Sequence, residues 1–395
     1  MSAESQNTQE SAKPRAPGQE GDARERQLQI EPYLKLMAQK SASDLFFLTG
    51  APASIKVDGV LQPIARRALA PGQTEGIARE MMNEHQARIF DEETAVNFGL
   101  TREGLGRFRV NVYRQRGEVA MVIRYISSAV PTIEQLGLPE VLKEFMSYQD
   151  GLVLVVGSTG TGKSTTLAAM IDHRLTIDTG HILTVEDPIE FLFQHKRAIV
   201  GQREVGIDTP SYEHALQEGM REAPDVIMVG EVRNRETMRA ALNYADTGHL
   251  VLSTLHATNA SQALDRIINL FPEDHRSQIL SDLSLNLRAI IGQRLLQKKD
   301  GSRVAALEVL VNTPYISELI HKEKIGEIKD VMAKSSSVGM QTFDQAIVKL
   351  FKSGDVMLNE ALSKADSRAN LEWKLNFGGG VGAAEESEEE LKPPE

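Results

Sequence analysis

The stretch Gly151-Leu-Val-Leu-Val-Val-Gly-Ser-Thr-Gly-Thr-Gly-Lys-Ser164 decides the fold. Its first half is a short apolar run rich in valine, stopped by glycine, which reads as a buried strand. Its second half, Gly157 to Ser164, fits the pattern Gly-x4-Gly-Lys-Ser/Thr, and Thr165–Met170 behind it reads as a helix. Strand, glycine-rich turn and helix in that order make a phosphate-binding loop. The glycines let backbone N–H groups curl around phosphate, and the helix N-terminus adds a favourable dipole. The expected nucleotide contacts are Ser158, Thr159, Gly160, Thr161, Gly162, Lys163, Ser164 and Thr165. Lys163 would reach the β- and γ-phosphates of ATP, and Ser164 would bind Mg²⁺. A chance match in a chain this long has odds of roughly 1%, so coincidence is the weaker reading.

Outward from this loop, short apolar runs alternate with helical stretches. Leu152–Val156, His181–Val185, Val226–Val229 and Leu250–Thr254 read as strands of a largely parallel sheet, the pattern of an α/β domain over 142–365. Residues 275–365 read as mostly helical. Upstream, residues 29–130 read as a small α+β domain. A helical pattern covers Leu34–Lys40, and strands cover Asp44–Leu48 and Ser54–Val57, with an Asp58-Gly59 turn. Arg107–Tyr113 alternates strictly, with Val119–Ile126 as its hairpin partner. Pro131 and Pro139 bracket an expected linker, 131–141. Residues 1–28 and 366–395 offer little to bury and are expected to be disordered.

Composition narrows the class. The 395 residues are 25% charged and 41% hydrophobic, as in ordinary soluble proteins. No apolar run approaches the roughly 20 residues that span a bilayer, and Met1 to Gln27 lacks a signal-peptide core. The expected location is cytoplasmic. The absence of cysteine excludes disulfides and thiolate metal sites. Of the formal charge of −11, the run from Ala383 to Glu395, with six Glu and one Lys, supplies −5. The remainder is only mildly acidic, which argues against a nucleic-acid partner.

Four further elements carry candidate chemistry. Asp225-Val-Ile-Met-Val-Gly-Glu231 is a buried strand ending in an acid, which suits Glu231 as the general base that polarises water. Glu186, Asp187 and Glu190 cluster at the end of another strand, where ligands bind in open α/β sheets. Glu186 is the preferred candidate for holding Mg²⁺ or its waters; the competing reading is a solvated turn. His249 and His256 flank the strand Leu250–Thr254, and from the residues alone catalysis and structural hydrogen bonding weigh equally. Six arginines crowd the hairpin at 102–124. They are either a solvated basic face or donors of arginine fingers to phosphate, with Arg109 and Arg124 the preferred pair.

With these elements in order, residues 29–365 resemble the secretion-type ATPase superfamily, and most closely the twitching-motility ATPases that retract type IV pili, the PilT/PilU group. Glu186–Glu190 looks like that family's Asp box, Asp225–Glu231 with Val232–Met238 like its Walker B region, and Thr247–Asn259 like its His box. Gln202–Gly206 and Met340–Asp344 also read as family segments. The resemblance implies a PAS-like N-terminal domain, a RecA-like ATPase domain with C-terminal helices, and a homohexamer with ATP between the two domains. It makes Glu231 the catalytic base, adds Lys163, Glu186, His249 and His256 to the active site, and makes Arg109 and Arg124 phosphate contacts. It implies work at the cytoplasmic face of the inner membrane, with a membrane platform protein of the pilus and a paralogous retraction ATPase as partners. Pilus-extension and type II secretion motors usually carry a four-cysteine zinc module, which a chain without cysteine does not have. The main retraction motor carries Ala-Ile-Arg-Asn-Leu-Ile-Arg-Glu where this chain has Leu319-Ile-His-Lys-Glu-Lys324, which points to a PilU-like accessory motor. The rival readings are a related motor for secretion, DNA uptake or conjugation, and a nucleotide-gated scaffold with little turnover.

Overall fold

The computed structural model describes residues 29–57, 59–126, 129–335 and 339–377. The N-terminal extension 1–28, Asp58 of the expected turn and the acidic run lie outside the described residues. The chain divides into two compact units, one up to Tyr125 and one from Ile126.

The first unit is built on strands β1 (Asp44–Phe47), β2 (Ser54–Val57), β3 (Val60–Pro63), β4 (Ala95–Arg102), β5 (Gly106–Gln115) and β6 (Glu118–Ile126), with helices α1 (Glu31–Gln39), α2 (Gln73–Met81) and α3 (Glu84–Glu93). The sheet order is β3-β2-β1-β6-β5-β4, so the expected hairpin partners β5 and β6 are neighbours. Period-2 patterning explains which face is buried. Phe108, Val110 and Val112 of β5 and Val119, Met121 and Ile123 of β6 enter the core with Phe47, Ile77 and Phe90. The intervening residues, among them Arg107, Arg109 and Arg124, stand on the opposite face of the sheet.

The second unit carries β7 (Gly151–Val156), β8 (His181–Glu186), β9 (Ile199–Glu204), β10 (Val226–Val229), β11 (Leu250–Leu255), β12 (Leu287–Gln297) and β13 (Arg303–Val311). They form one sheet in the order β13-β12-β7-β11-β10-β8-β9. All pairs are parallel except the β12–β13 hairpin. β7 is buried along its whole length: Leu152, Leu154 and Val156 face one helical layer, and Val153 and Val155 face the other. Truncating Leu154 to Ala would cost about 2–5 kcal/mol. One layer contains α4 (Val141–Phe145) and α5 (Lys163–Ile177); the other contains α6 (Tyr212–Gly219), α7 (Arg235–Asp246), α8 (Ala260–Asn269), α9 (Arg276–Asn286), α10 (Pro314–His321) and α11 (Ile328–Lys334). Helices α12 (Phe343–Lys352), α13 (Leu358–Lys364) and α14 (Arg368–Phe377) pack with Leu296 and Ala306 of the hairpin.

Three observations change the sequence expectations. The region 275–365 is mostly helical, as expected, but it also contains the strand pair β12 and β13. Leu, Ala, Gln and Glu in these strands favour helices locally, but pairing of Ile290–Gly292 with Leu154–Val156 places them in the sheet interior, and tertiary context overrides propensity. In the stretch expected to be a linker, Ile133 and Leu138 are buried in the core of the second unit. Within the segment expected to be unstructured, residues 368–377 form α14, with Leu371 buried.

Candidate active site

Strand register sets the site. Val156 pairs with Leu255 and with Gly292, and Val229 pairs with Ser253 and Val185. The strands therefore end together at their C-terminal edge, and the next residues, Gly157, His256, Gly230–Glu231, Glu186 and Gln293, emerge in one row. This is the edge where open parallel sheets bind ligands.

The phosphate loop fills the turn between β7 and α5. Gly160 and Gly162 hold left-handed backbone at φ 79° and 88°, which side chains resist. A Cβ at Gly160 would meet nothing within 4 Å, so the loop backbone is open to a close ligand. Ser158, Thr159 and Gly160 are exposed, as is the Ser164 hydroxyl-bearing side chain in the first turn of α5. The Lys163 ammonium donates to the carbonyls of Gly157 (2.9 Å) and Ser158 (3.0 Å). Burial lowers its pKa, and the nearby Glu231 charge opposes that shift. The donor set suits a nucleotide phosphate: exposed backbone amides, one lysine and one hydroxyl at a helix start. Among the described residues no group of three or more His, Asp or Glu is arranged to hold a metal. A magnesium ion here would share Ser164 with phosphate oxygens.

Glu231 and His256 are placed by the same local device. Each is followed three residues later by an asparagine that caps a helix, Asn234 accepting from Thr237 N–H at 2.9 Å and Asn259 from Gln262 N–H at 2.8 Å. The two turns are pinned to each other by the hydroxyls of Ser253 and Thr254, which donate to the carbonyls of Val229 (2.6 Å) and Gly230 (2.7 Å). As a result His256 Nε2 lies 2.9 Å from Glu231 Oε1. Arg233 takes the other oxygen: its Nε donates to Glu231 Oε2 at 2.7 Å while a terminal nitrogen reaches Asp187 at 2.9 Å. Lys163, Glu231, His256, Arg233 and Asp187 thus form one electrostatic cluster.

Glu186 lies at the edge but turns inward. It is 5% exposed and accepts from Thr184 Oγ1 (2.8 Å), Gln202 Nε2 (3.3 Å) and the Glu190 N–H (3.3 Å). Burial raises its pKa to about 7, against those hydrogen bonds. His249 is not brought to the cluster within the chain. It precedes β11 at the opposite edge, roughly 20 Å away, the length of a six-residue strand. There its Nδ1 lies 3.2 Å from both the Tyr244 carbonyl and the Thr247 hydroxyl, and its ring stands edge-on to Tyr244. In the first unit, Arg124 is exposed and donates through Nε to the buried Asp44 at 2.8 Å, while Arg109 pairs across the ladder with Gly99.

Sequence reasoning did not single out Arg233, Thr254 or Gln293. Arg233 was legible only as part of a motif, and no local signal marks Gln293. Its role depends on strand pairing nearly 130 residues from its partners.

The family model described as type II/IV secretion system protein matches residues 19–302. The chain is 50% identical over 352 residues to the type IV pilus ATPase PilU of Pseudomonas aeruginosa, covering 89% of this chain and 92% of that protein. It is 41% identical to the type IV pilus retraction ATPase PilT of the same organism, covering 87% of this chain and all of that protein. The crystal structure of the pilus retraction motor PilT with bound ADP superimposes with a TM-score of 0.82 at 40% identity, covering 88% of this chain and 99% of the other. The chain belongs to the type II/IV secretion system protein family of ATPases.

Proposed function

We propose that this protein is an ATP-hydrolysing motor of type IV pilus retraction, PilU-like rather than PilT-like. The observation that carries it is the Lys163–Glu231–His256 cluster beside an open phosphate loop, in a chain that is half identical to PilU over most of its length. In this reading the backbone of 158–165 and Lys163 hold the phosphates, and Ser164 supplies the protein ligand to Mg²⁺, which neutralises phosphate charge. Glu231 polarises the attacking water. Each of its oxygens has one partner, His256 or Arg233, and keeps a further lone pair that can accept from the water. Glu186, held as a weak acid, shapes the neighbouring turn or meets the metal's water. Arg109 and Arg124 are the proposed phosphate-contacting arginines, and His249 would join the chemistry only from a neighbouring subunit.

The working unit in this reading is a homohexamer at the cytoplasmic face of the inner membrane. It engages a pilus platform protein and a paralogous motor. Among the described residues no helix is long and apolar enough to cross a membrane. The test is pilus retraction in cells lacking this protein, with and without the paralogue. A retraction defect, under load or when the paralogue is weakened, supports the reading. Normal retraction in both backgrounds refutes it.

A further inference from the structure

The β12–β13 hairpin carries two buried polar side chains that a purely apolar core would not contain. Gln293 is 3% exposed and Glu308 is 2% exposed. Gly292 pairs with Glu308 and Gln293 pairs with Leu307, so the two side chains leave opposite faces of the sheet. Each ends on a loop of the nucleotide site. The Gln293 amide donates to the Thr161 carbonyl at 2.8 Å, and its oxygen accepts from Thr166 Oγ1 at 2.8 Å. One carboxamide thereby ties the phosphate loop to the first turns of α5. The fit is close, since a Cβ on Gly162 would stand 3.0 Å from that amide nitrogen. On the other face, Glu308 Oε2 accepts from the Ala260 N–H at 2.7 Å. Ala260 opens α8, directly after the His256–Asn259 turn.

We propose that this hairpin positions both halves of the nucleotide site, Gln293 fixing the phosphate loop and Glu308 fixing the turn that presents His256 to Glu231. Both are positioning residues, since neither is placed to touch the reacting atoms. The hairpin also gives the segment Met340–Asp344 a place. Phe343 closes over Gly292, where an added Cβ would meet its ring at 2.9 Å, and Arg294 stacks on the same ring. Arg294 and Lys329 both pair with Asp366, at 2.6 and 2.7 Å. The C-terminal helices are therefore fastened to the same hairpin that holds the two loops.

The inference rests on residues 157–165 being the phosphate loop, so Lys163→Ala is measured beside the other variants. The full-length chain is titrated with ADP for Kd, assayed for kcat and KM with ATP, and melted. Gln293→Met keeps the volume but loses both hydrogen bonds, and should weaken ADP binding about 10-fold. Thr166→Val removes one anchor and should weaken it about 3-fold. The double variant should be no worse than Gln293→Met. Glu308→Ala should lower kcat about 10-fold at unchanged ADP affinity, and Glu308→Gln, which keeps an acceptor for Ala260, should recover most of it. Parental ADP affinity in both Gln293→Met and Thr166→Val, with binding lost in Lys163→Ala, overturns the clamp and leaves the site. Parental affinity in Lys163→Ala overturns both. Equal kcat losses in Glu308→Ala and Glu308→Gln remove the Glu308 half.

Discussion

At the C-terminal edge of the seven-stranded sheet, His256 meets the side chain of Glu231, which also meets Arg233 and senses Lys163. At the N-terminal edge the same residue types end largely on backbone. His249 reaches the Tyr244 carbonyl, His181 Nδ1 reaches the Glu222 carbonyl, and Asp225 accepts from the His181 N–H at 2.7 Å. The difference lies in topology rather than composition. Parallel strands deliver the first turns of the following helices, and their free N–H groups, to one edge only. At that edge Glu231, His256, Arg233 and Asp187 pair with one another, while at the other edge His249, His181 and Asp225 close turns beside the Arg288–Asp150 ion pair.

The largest expected effect tests which edge binds nucleotide. Lys163→Ala should reduce ATP affinity and turnover together, with turnover down roughly 10²-fold or more. Retained affinity and turnover would erase the contrast. The two histidines sharpen it. His256→Ala should cost roughly 10- to 100-fold in turnover, and His249→Ala no more than a few-fold. Equal losses would show that a neighbouring subunit brings His249 to the chemistry. Arg124→Ala lies in the other unit. If Arg124 acts on phosphate, turnover should fall more than ATP affinity, alongside a modest drop in melting temperature from the Asp44 carboxylate it leaves behind. An unchanged rate would leave Arg124 as a partner of Asp44 alone.

The smallest effect concerns the buried acid on the hairpin. Burial raises Glu308 to about 7, an effect that Asp366 adds to and that the Ala260 N–H, Arg294 and Lys329 oppose. A folded-state pKa above the unfolded value means that the folded chain holds the extra proton between about pH 4.5 and 7. Stability from this group therefore falls as pH rises through that window and stays low above it. Glu308→Gln should flatten this loss, gaining roughly 1–3 kcal/mol at pH 8 relative to pH 5. Parallel stability–pH curves for parent and variant would contradict the assignment.

How much was legible follows from how local each signal is. The phosphate loop announces itself because strand, glycines and lysine are contiguous. Glu231 and His256 were readable because each ends an apolar run. The alternation in β5 and β6 exposed the hairpin with Arg109 and Arg124. By contrast, β12 and β13 are rich in helix-favouring residues, and their strand state is imposed by β7, more than 130 residues upstream of Leu287. With that pairing hidden, Gln293 and Glu308 were invisible. The edge on which His249 falls was equally hidden, because a histidine before a strand and one after it look alike until strand direction is known. Glu186 was found by its position at a strand end, but its inward turn is held by Thr184, the Glu190 N–H and Gln202 in β9, and Gln202 was marked only as part of a family segment, with no hint of this partner.

The most direct test of the account is a paired measurement on purified Glu231→Gln and parent protein, ATP affinity and steady-state turnover on the same preparations. Glutamine keeps the size and polarity of the side chain but cannot accept a proton from water. The account predicts ATP affinity close to the parent with turnover lower by roughly 10²-fold or more. Turnover near the parent value would remove Glu231 from the mechanism and with it the claim that the C-terminal edge of the sheet does the chemistry.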